Sequence, residues 1–217
     1  MLQRDYLMKM TQQLAAVLVK VLFHKDKKSF AEAEEEIESA AKTMVGLDLK
    51  LIKILDINDI LKLIKTSDIF AGRCLISAEL LKEYGDILGE KGKHEESINI
   101  YLKSLNLYLE TILTKELPHP EEYFERVNFL IKTLTSAEYK DDLKLKIFDY
   151  FEYSGQYSKA EDILFEMVDS GTDGIKETGI QYYKRLQLKS EEELWKGNFS
   201  KEEIEESLEE LNFRFLS

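Results

Sequence analysis

The residue types that most often bind metals or act as nucleophiles are few in this 217-residue chain and far apart. The three histidines, His24, His94 and His119, never stand four residues from one another, and the chain has no C-x-x-C or H-E-x-x-H pattern. Zinc sites commonly show such short spacings in the sequence. We therefore expect no metal site. The single cysteine, Cys74, lies among apolar residues, which is typical of a buried small side chain rather than a nucleophile.

The sequence also lacks the other common signatures of catalysis. Carboxylates are numerous, but they stand in runs such as Glu34, Glu35 and Glu36, which are typical of solvated helix faces. Neither G-x-x-x-x-G-K-[ST] nor G-x-G-x-x-G occurs, so a phosphate-cradling loop is not indicated. We therefore expect no enzymatic activity and no cofactor. The alternative is an enzyme or a small-molecule-binding protein whose site is assembled from distant helices.

The elements that would position any site are predicted to be helices. Only two prolines interrupt the chain, apolar residues recur with helical periodicity, and no stretch alternates as a strand does. Helix-starting patterns include the capping-box spacings Ser29–Glu32 and Ser200–Glu203. The fold class is therefore all-α, with about ten helices. The predicted helices are 2–24, 29–45, 58–66, 69–91, 94–115, 121–136, 140–154, 157–170, 175–195 and 201–214.

The first predicted helix, 2–24, has a broader apolar stripe than one buried side needs. Either the helix is covered on two sides within the chain, or part of it packs on another subunit as a homodimer. The stripe consists of Tyr6, Leu7, Met10, Leu14, Val17, Leu18, Val21 and Leu22.

Charge limits the kind of partner. The formal net charge is -12, and an acidic surface repels a phosphate backbone, so nucleic-acid binding is not expected. Residues 1–28 carry six basic and two acidic side chains, whereas residues 191–210 carry nine glutamates and two lysines. These ends are two solvated faces, or they attract each other within a chain or between chains. No segment resembles a signal peptide or a membrane span, so we expect a cytoplasmic protein without a membrane partner.

Two stretches repeat one plan, 63 residues apart. In "GKHEESINIYLKSLNLY" and "GQYSKAEDILFEMV", a turn glycine (Gly92 or Gly155) is followed by a small residue (Ser97 or Ala160) at the position where two helices would cross. This pattern resembles the tetratricopeptide repeat, a helix–turn–helix unit. A weaker third copy, "KKSFAEAEEEIESA", has its turn at residue 28. The spacings of 64 and 63 residues predict an irregular tetratricopeptide-like superhelix, with other helices between the hairpins.

A closer resemblance covers nearly the whole chain. The stretches "QRDYLMKMTQQLA", "MVGLDLKLI", "AELLKEYGDI", "YSKAEDILFEMV" and "FSKEEIEESLEELN" together resemble an uncharacterised bacterial family of tetratricopeptide-like proteins. The resemblance implies a helical-repeat fold and a bacterial cytosolic origin. It implies no activity and no site residues.

The resemblance leads to a protein- or peptide-binding scaffold as the expected function. Some tetratricopeptide domains hold a peptide carboxylate with Lys and Asn, but here the matching positions are Lys82 and Asp86. The aspartate would repel a carboxylate, so we expect a partner of basic character. Lys82, Tyr101 and Tyr108 are the candidate binding residues on the concave side of the hairpin.

The domain prediction is a single helical domain, 1–217. Within it, 1–46 forms an N-terminal hairpin, 69–170 contains the best repeat-like hairpins, and 175–215 forms capping helices.

Overall fold

The computed structural model describes residues 2–65, 69–135 and 137–215, with the backbone alone for residues 2–6. Over these ranges the chain is helical and contains no β-strand, which confirms the all-α prediction. Two compact units are present, Met1–Ala137 and Glu138–Ser217. The prediction that all 217 residues form one domain stays a prediction, as do its internal boundaries.

Twelve α-helices are present in the described part of the chain, seven in the first unit and five in the second. The first unit contains α1 (Leu2–Asp26), α2 (Phe30–Ala40), α3 (Leu49–Ile54), α4 (Ile57–Lys65), α5 (Phe70–Glu90), α6 (His94–Leu113) and α7 (Phe124–Thr133). The second unit contains α8 (Asp141–Tyr153), α9 (Tyr157–Asp169), α10 (Ile175–Gln187), α11 (Glu191–Lys196) and α12 (Lys201–Arg214). A π-helical turn follows α2, and a 3₁₀ turn precedes α7.

Helix α3 was missed because it is only six residues long. The Asp48 side chain accepts a hydrogen bond from the Lys50 N–H and so caps its start. At its end the buried Lys103 Nζ donates to the carbonyls of Ile52 and Lys53, at 2.9 and 2.7 Å. Burial lowers the pKa of Lys103, so this cation is held at a desolvation cost.

The predicted helix 175–195 is instead two helices, α10 and α11. Ser190 and Glu193 form a reciprocal capping box, which starts a new helix before the predicted one would end. The capping box expected at Ser29 is wrong, because that side chain makes no cap hydrogen bond. Ser200 does accept from the Glu203 N–H, at 3.1 Å. The predicted helix ends at 66 and 136 and the side chain of Tyr6 lie outside the described residues.

The three predicted turns share one backbone geometry. Lys28, Gly92 and Gly155 all have positive φ, of 57°, 74° and 74°. In each turn the following N–H reaches back to a carbonyl of the preceding helix: Ser29 to His24 at 2.9 Å, Lys93 to Leu88 at 2.9 Å and Gln156 to Phe151 at 2.8 Å. Glycine adopts this left-handed conformation without strain, which explains its presence in two of the copies.

The α5–α6 hairpin is packed very closely. A Cβ placed on Gly85 would lie 2.5 Å from a ring carbon of Tyr101, so only glycine admits this ring. The Ser97 and Ser104 hydroxyls donate to the carbonyls of Gly85 and Ala78, at 2.8 and 2.7 Å. The small residues of the repeat pattern therefore let α6 lie directly against the backbone of α5.

In the second unit, aromatic side chains join α8, α9 and α10. The ring of Phe148 lies edge-on to Tyr182 with the centroids 5.2 Å apart, and the Tyr182 hydroxyl donates to the Tyr157 carbonyl at 2.7 Å. The Tyr183 hydroxyl donates to a Glu161 carboxylate oxygen at the same distance. The hydroxyls of these buried tyrosines therefore have acceptors, which removes the cost of burying them.

The close packing predicts that alanine substitution at two glycines of α5 changes the stability of the protein in opposite directions. Gly85→Ala should destabilise the protein by about 1–2 kcal/mol, because the steric cost at Tyr101 exceeds the gain in helix propensity. Gly89→Ala should stabilise it by about 0.5–1 kcal/mol, since its Cβ would meet only the Ser97 hydroxyl, at 3.6 Å. Urea unfolding of both variants measures the difference, and a stabilised Gly85→Ala would contradict the packing argument.

Candidate functional site

Four charged residues lie along one face of α5. Lys82 and Glu83 each lie three or four residues from both Glu79 and Asp86, so the four side chains occupy one side of the helix. Glu79 and Glu83 are buried, and the other two are partly buried. Charges in such a place need partners, because an unpaired buried carboxylate is costly.

Lys25, from the end of α1, pairs with two of these carboxylates. Its Nζ lies 2.6 Å from Glu83 Oε2 and 2.7 Å from Asp86 Oδ2, and its side chain is 10% exposed. Lys82 Nζ is 3.0 Å from each of the same two residues. Burial by itself lowers the pKa of Lys25, but the hydrogen bonds to Asp86 and Glu83 outweigh it and raise this pKa above the ordinary lysine value. The ion pairs therefore keep both lysines charged.

Tyr101 extends the cluster from α6. Its hydroxyl donates to Asp86 Oδ1 at 2.7 Å. Burial by itself raises the pKa of Asp86, but the hydrogen bonds from Lys25 and Tyr101 outweigh it and hold this pKa below the ordinary value. The ring of Phe129, on α7, meets Tyr101 edge-on at 6.3 Å, and Lys82 Nζ lies 5.6 Å from its centroid. Four helices thus meet at Asp86 and its neighbours.

Glu79 has a separate partner. Arg126 Nε, from α7, lies 3.0 Å from Glu79 Oε1, and the guanidinium also stacks 5.7 Å from the centroid of Tyr123. Burial raises the pKa of Glu79, and Arg126 offsets part of this effect. The Tyr108 hydroxyl is fully buried and makes no hydrogen bond of ordinary geometry within the described residues. Burial, followed by the negative charge of Glu79, raises the pKa of Tyr108 well above its usual value.

A small pocket lies where α1 meets the segment before α7. Its volume is about 170 Å³. Apolar side chains form most of the wall, with Thr11, His119 and Glu122 as polar members. The remaining lining residues are Leu7, Met8, Leu75, Leu117, Pro118 and Tyr123.

The three candidate residues predicted from the sequence lie in this part of the molecule. Lys82 and Tyr101 both bind Asp86, and Tyr108 lies beside Glu79, two turns earlier on α5. Tyr101 and Tyr108 are 7% and 0% exposed, so neither ring lines an open groove in this structure. That the three residues bind a partner stays a prediction.

The sequence reasoning missed Lys25, Glu79, Glu83 and Arg126. The spacing of the charges on α5 was a usable signal, because charged residues at helical spacing within an apolar helix point to a shared buried face. The partners on α1 and α7 could not be found in this way, since only the folded chain brings them to α5. Lys25 and Arg126 occupy the acidic face of α5 that was expected to bind a basic partner.

Cys74 is fully buried, as predicted. His119 lies in an exposed segment, with Nδ1 3.2 Å from Glu121 Oε1. In the described ranges, no three histidine, cysteine, aspartate or glutamate side chains come together in a way that could hold a metal ion. No described helix is long and apolar enough to cross a membrane.

The side of α1 that faces away from the core is also apolar. Met10, Leu14 and Val21 are buried, whereas the opposite side carries exposed apolar residues, which we call the outer stripe. Of the stripe predicted from the sequence, Met10, Leu14 and Val21 are buried and Leu22 is exposed, while Leu7, Val17 and Leu18 are partly buried. The chain itself therefore covers most of that stripe, and packing of this helix on another subunit stays a prediction. The outer stripe consists of Met8 (53% exposed), Ala15, Val19 (67%), Leu22 (46%) and Phe23 (53%).

The sequence matches a family model described as a family of unknown function (DUF6483) over residues 1–215. No curated protein matches it significantly, and no solved structure does.

The cluster predicts unequal effects at two lysines of α1. Lys25→Met should destabilise the protein by about 2–4 kcal/mol, because Glu83 and Asp86 then keep Lys82 as their remaining cation in a nearly dry place. Lys20→Met removes an exposed pair, 3.4 Å from Glu36, and should cost less than about 1 kcal/mol. Urea unfolding compares the two variants. Equal losses would show that the cluster contributes no more than a surface ion pair.

Neutral substitutions at Glu79 and Asp86 should change the stability relative to wild type in opposite directions as the pH rises. Because the folded pKa of Glu79 is raised above 4.5, its ionisation opposes folding, so Glu79→Gln should gain stability relative to wild type as pH rises from about 4 to about 7. The folded pKa of Asp86 is below 3.8, so its ionisation favours folding. Asp86→Asn should therefore lose stability relative to wild type as pH rises from about 2 to about 5. Unfolding free energies at several pH values test both slopes, and a difference that does not change with pH contradicts the assignment at that residue.

Proposed function

The chain belongs to this family of unknown function, and we propose that it is a non-catalytic protein-binding module that docks a helix of its partner on the outer stripe of α1. The repeat pattern supports a tetratricopeptide-like origin for the hairpins, because the turns at 28, 92 and 155 share one backbone geometry. The bacterial cytoplasm is the setting we propose, on the sequence resemblance.

The outer stripe is the observation that carries this proposal. Four large apolar side chains, each about half exposed or more, follow one side of a 25-residue helix whose other side is packed in the core. Scattered exposed apolar residues are ordinary, but a group such as Val19, Leu22 and Phe23 on one side of a helix marks an interaction surface, and Met8 and Ala15 extend it along the same side. An amphipathic helix is the partner that such a row fits best, because its apolar residues recur with the same period.

The pocket adds a place for one side chain of the partner. Met8 belongs both to the outer stripe and to the pocket wall, so the stripe leads into the pocket. A volume of about 170 Å³ suits a single apolar side chain, whereas small-molecule sites usually measure about 300 Å³ or more. This difference favours a protein partner over the small-molecule alternative.

The charges of the α5 cluster support a non-catalytic role. Glu83 and Asp86 pair with Lys25 and Lys82, and Glu79 pairs with Arg126. A general acid or base needs access to the proton it transfers, and these carboxylates are instead held by neighbouring helices. We assign the cluster to holding α1 and α7 against α5, and we propose no cofactor.

A photo-crosslinking amino acid, benzoylphenylalanine, tests the docking surface in cells. Placed at Val19, it should give a discrete light-dependent adduct, and adding Leu22→Glu should abolish this adduct because a charge then interrupts the stripe. Lys62, on α4 of the same unit, is 75% exposed and serves as the control position. Equal labelling at Val19 and Lys62, or an adduct that survives Leu22→Glu, would overturn the proposal.

A further inference from the structure

We infer that the partner helix is α1 of a second copy, so that two chains join through an antiparallel, two-fold pairing of their outer stripes. This inference rests on the proposed function and names the occupant of the same surface. A two-fold contact requires one surface to be complementary to itself. The outer stripe can be examined for this property residue by residue.

Two large side chains of the stripe are placed symmetrically about Ala15. Met8 lies seven residues before Ala15 and Leu22 lies seven residues after it. In an antiparallel pair centred on Ala15, Met8 of each copy is therefore level with Leu22 of the other. The exposed Ala15 stands at the centre, where a small residue lets two helices approach closely. Spacings of seven residues keep such contacts on one side of a helix.

The same pairing supplies a side chain for the pocket. Leu22 and Thr11 are eleven residues, or about three turns, apart, so they lie on the same side of α1. Thr11 lines the pocket together with Leu7 and Met8. Leu22 of the second copy, level with Met8 and on the Thr11 side, is thus placed at the pocket mouth. Leu22 of each copy would then be buried in the pocket of the other copy, which gives two equivalent contacts in one dimer.

Charge complementarity also favours the antiparallel arrangement. Helix α2 carries five glutamates. The Lys20–Glu36 ion pair shows that residue 36 of α2 lies beside residue 20 of α1. Glu35, one residue earlier on the antiparallel α2, is therefore about level with residue 21. Lys9 of the second copy is also level with residue 21 when the pair is centred on Ala15. Both Lys9 and Glu35 are exposed, so the pairing brings opposite charges together.

Cysteine cross-linking tests both the pairing and its direction. Cys74 is buried and leaves the background clear. Ala15→Cys should form a disulfide-linked dimer under mild oxidation. Met8→Cys and Leu22→Cys should cross-link when the two proteins are mixed, and much less when each is oxidised alone. Efficient self-linking of Met8→Cys would overturn the antiparallel arrangement.

Light scattering measures the assembly itself. The wild-type chain of 25.3 kDa should have twice this mass in solution, and Ala15→Glu should be monomeric because it places two carboxylates at the two-fold axis. Lys9→Glu and Glu35→Lys should each weaken the dimer about tenfold, and the double variant should recover it. Gln13→Glu, an exposed control off the stripe, should leave the dimer intact.

The outcomes separate the inference from the proposed function. A monomeric wild type without an Ala15→Cys disulfide overturns the homodimer. If crosslinking from Val19 then still gives an adduct with a different protein, the docking function stands with another occupant. If neither a dimer nor a Val19 adduct is found, both fail.

Discussion

The first unit depends on the ionic contact of Lys25 with Glu83 and Asp86. This contact fixes the end of α1 on α5, and Asp86 in turn fixes the Tyr101 hydroxyl. The Tyr101 ring has room only because residue 85 is glycine, and the ring provides the surface on which Phe129 of α7 packs. The Asp86 carboxylate therefore links α1, α5 and α6 directly, and α7 indirectly through the Tyr101 ring. This carboxylate is largely buried, so the geometry tolerates little change in charge or size.

The contact also determines which side of α1 faces solvent. At the other end of the helix, Leu7 and Met10 lie close to Gly72, where an added Cβ would be 3.2 Å from each. A helix held at both ends cannot rotate to bury its second apolar side. The exposure of Val19 and Leu22 is thus imposed by the packing of the opposite side, and it persists unless another molecule covers it. In our proposal, the inner side of this helix contributes to stability and its outer side is the docking surface.

Local signals predicted most of the fold. Apolar periodicity located the long helices within a few residues, and the recurring turn plan identified three left-handed turns, including the one at Lys28 that lacks glycine. Errors arose where a short-range signal was weak or overridden, as at the six-residue α3 and at the capping box that splits 175–195. The pairing of Lys25 and Arg126 with α5 could not be predicted, because it joins residues about 50 to 60 positions apart through the tertiary fold. For the same reason, Tyr101 and Tyr108 were predicted on a concave surface, whereas both rings are buried.

The net charge suggested that the acidic residues attract a basic partner, but their positions in the fold divide them into two groups with different roles. On α5 the carboxylates are neutralised by lysines and an arginine of the same unit, so they offer little attraction to a basic partner. The acidic residues of α2 are different, since Glu32 and Glu35 are exposed and stand next to a helix that carries exposed lysines and an apolar row. Specific docking requires both an apolar contact and a charge pattern that rejects wrong registers. Only the α1–α2 hairpin combines these two features among the surfaces described above, and this is why we propose it, rather than α5, as the docking surface.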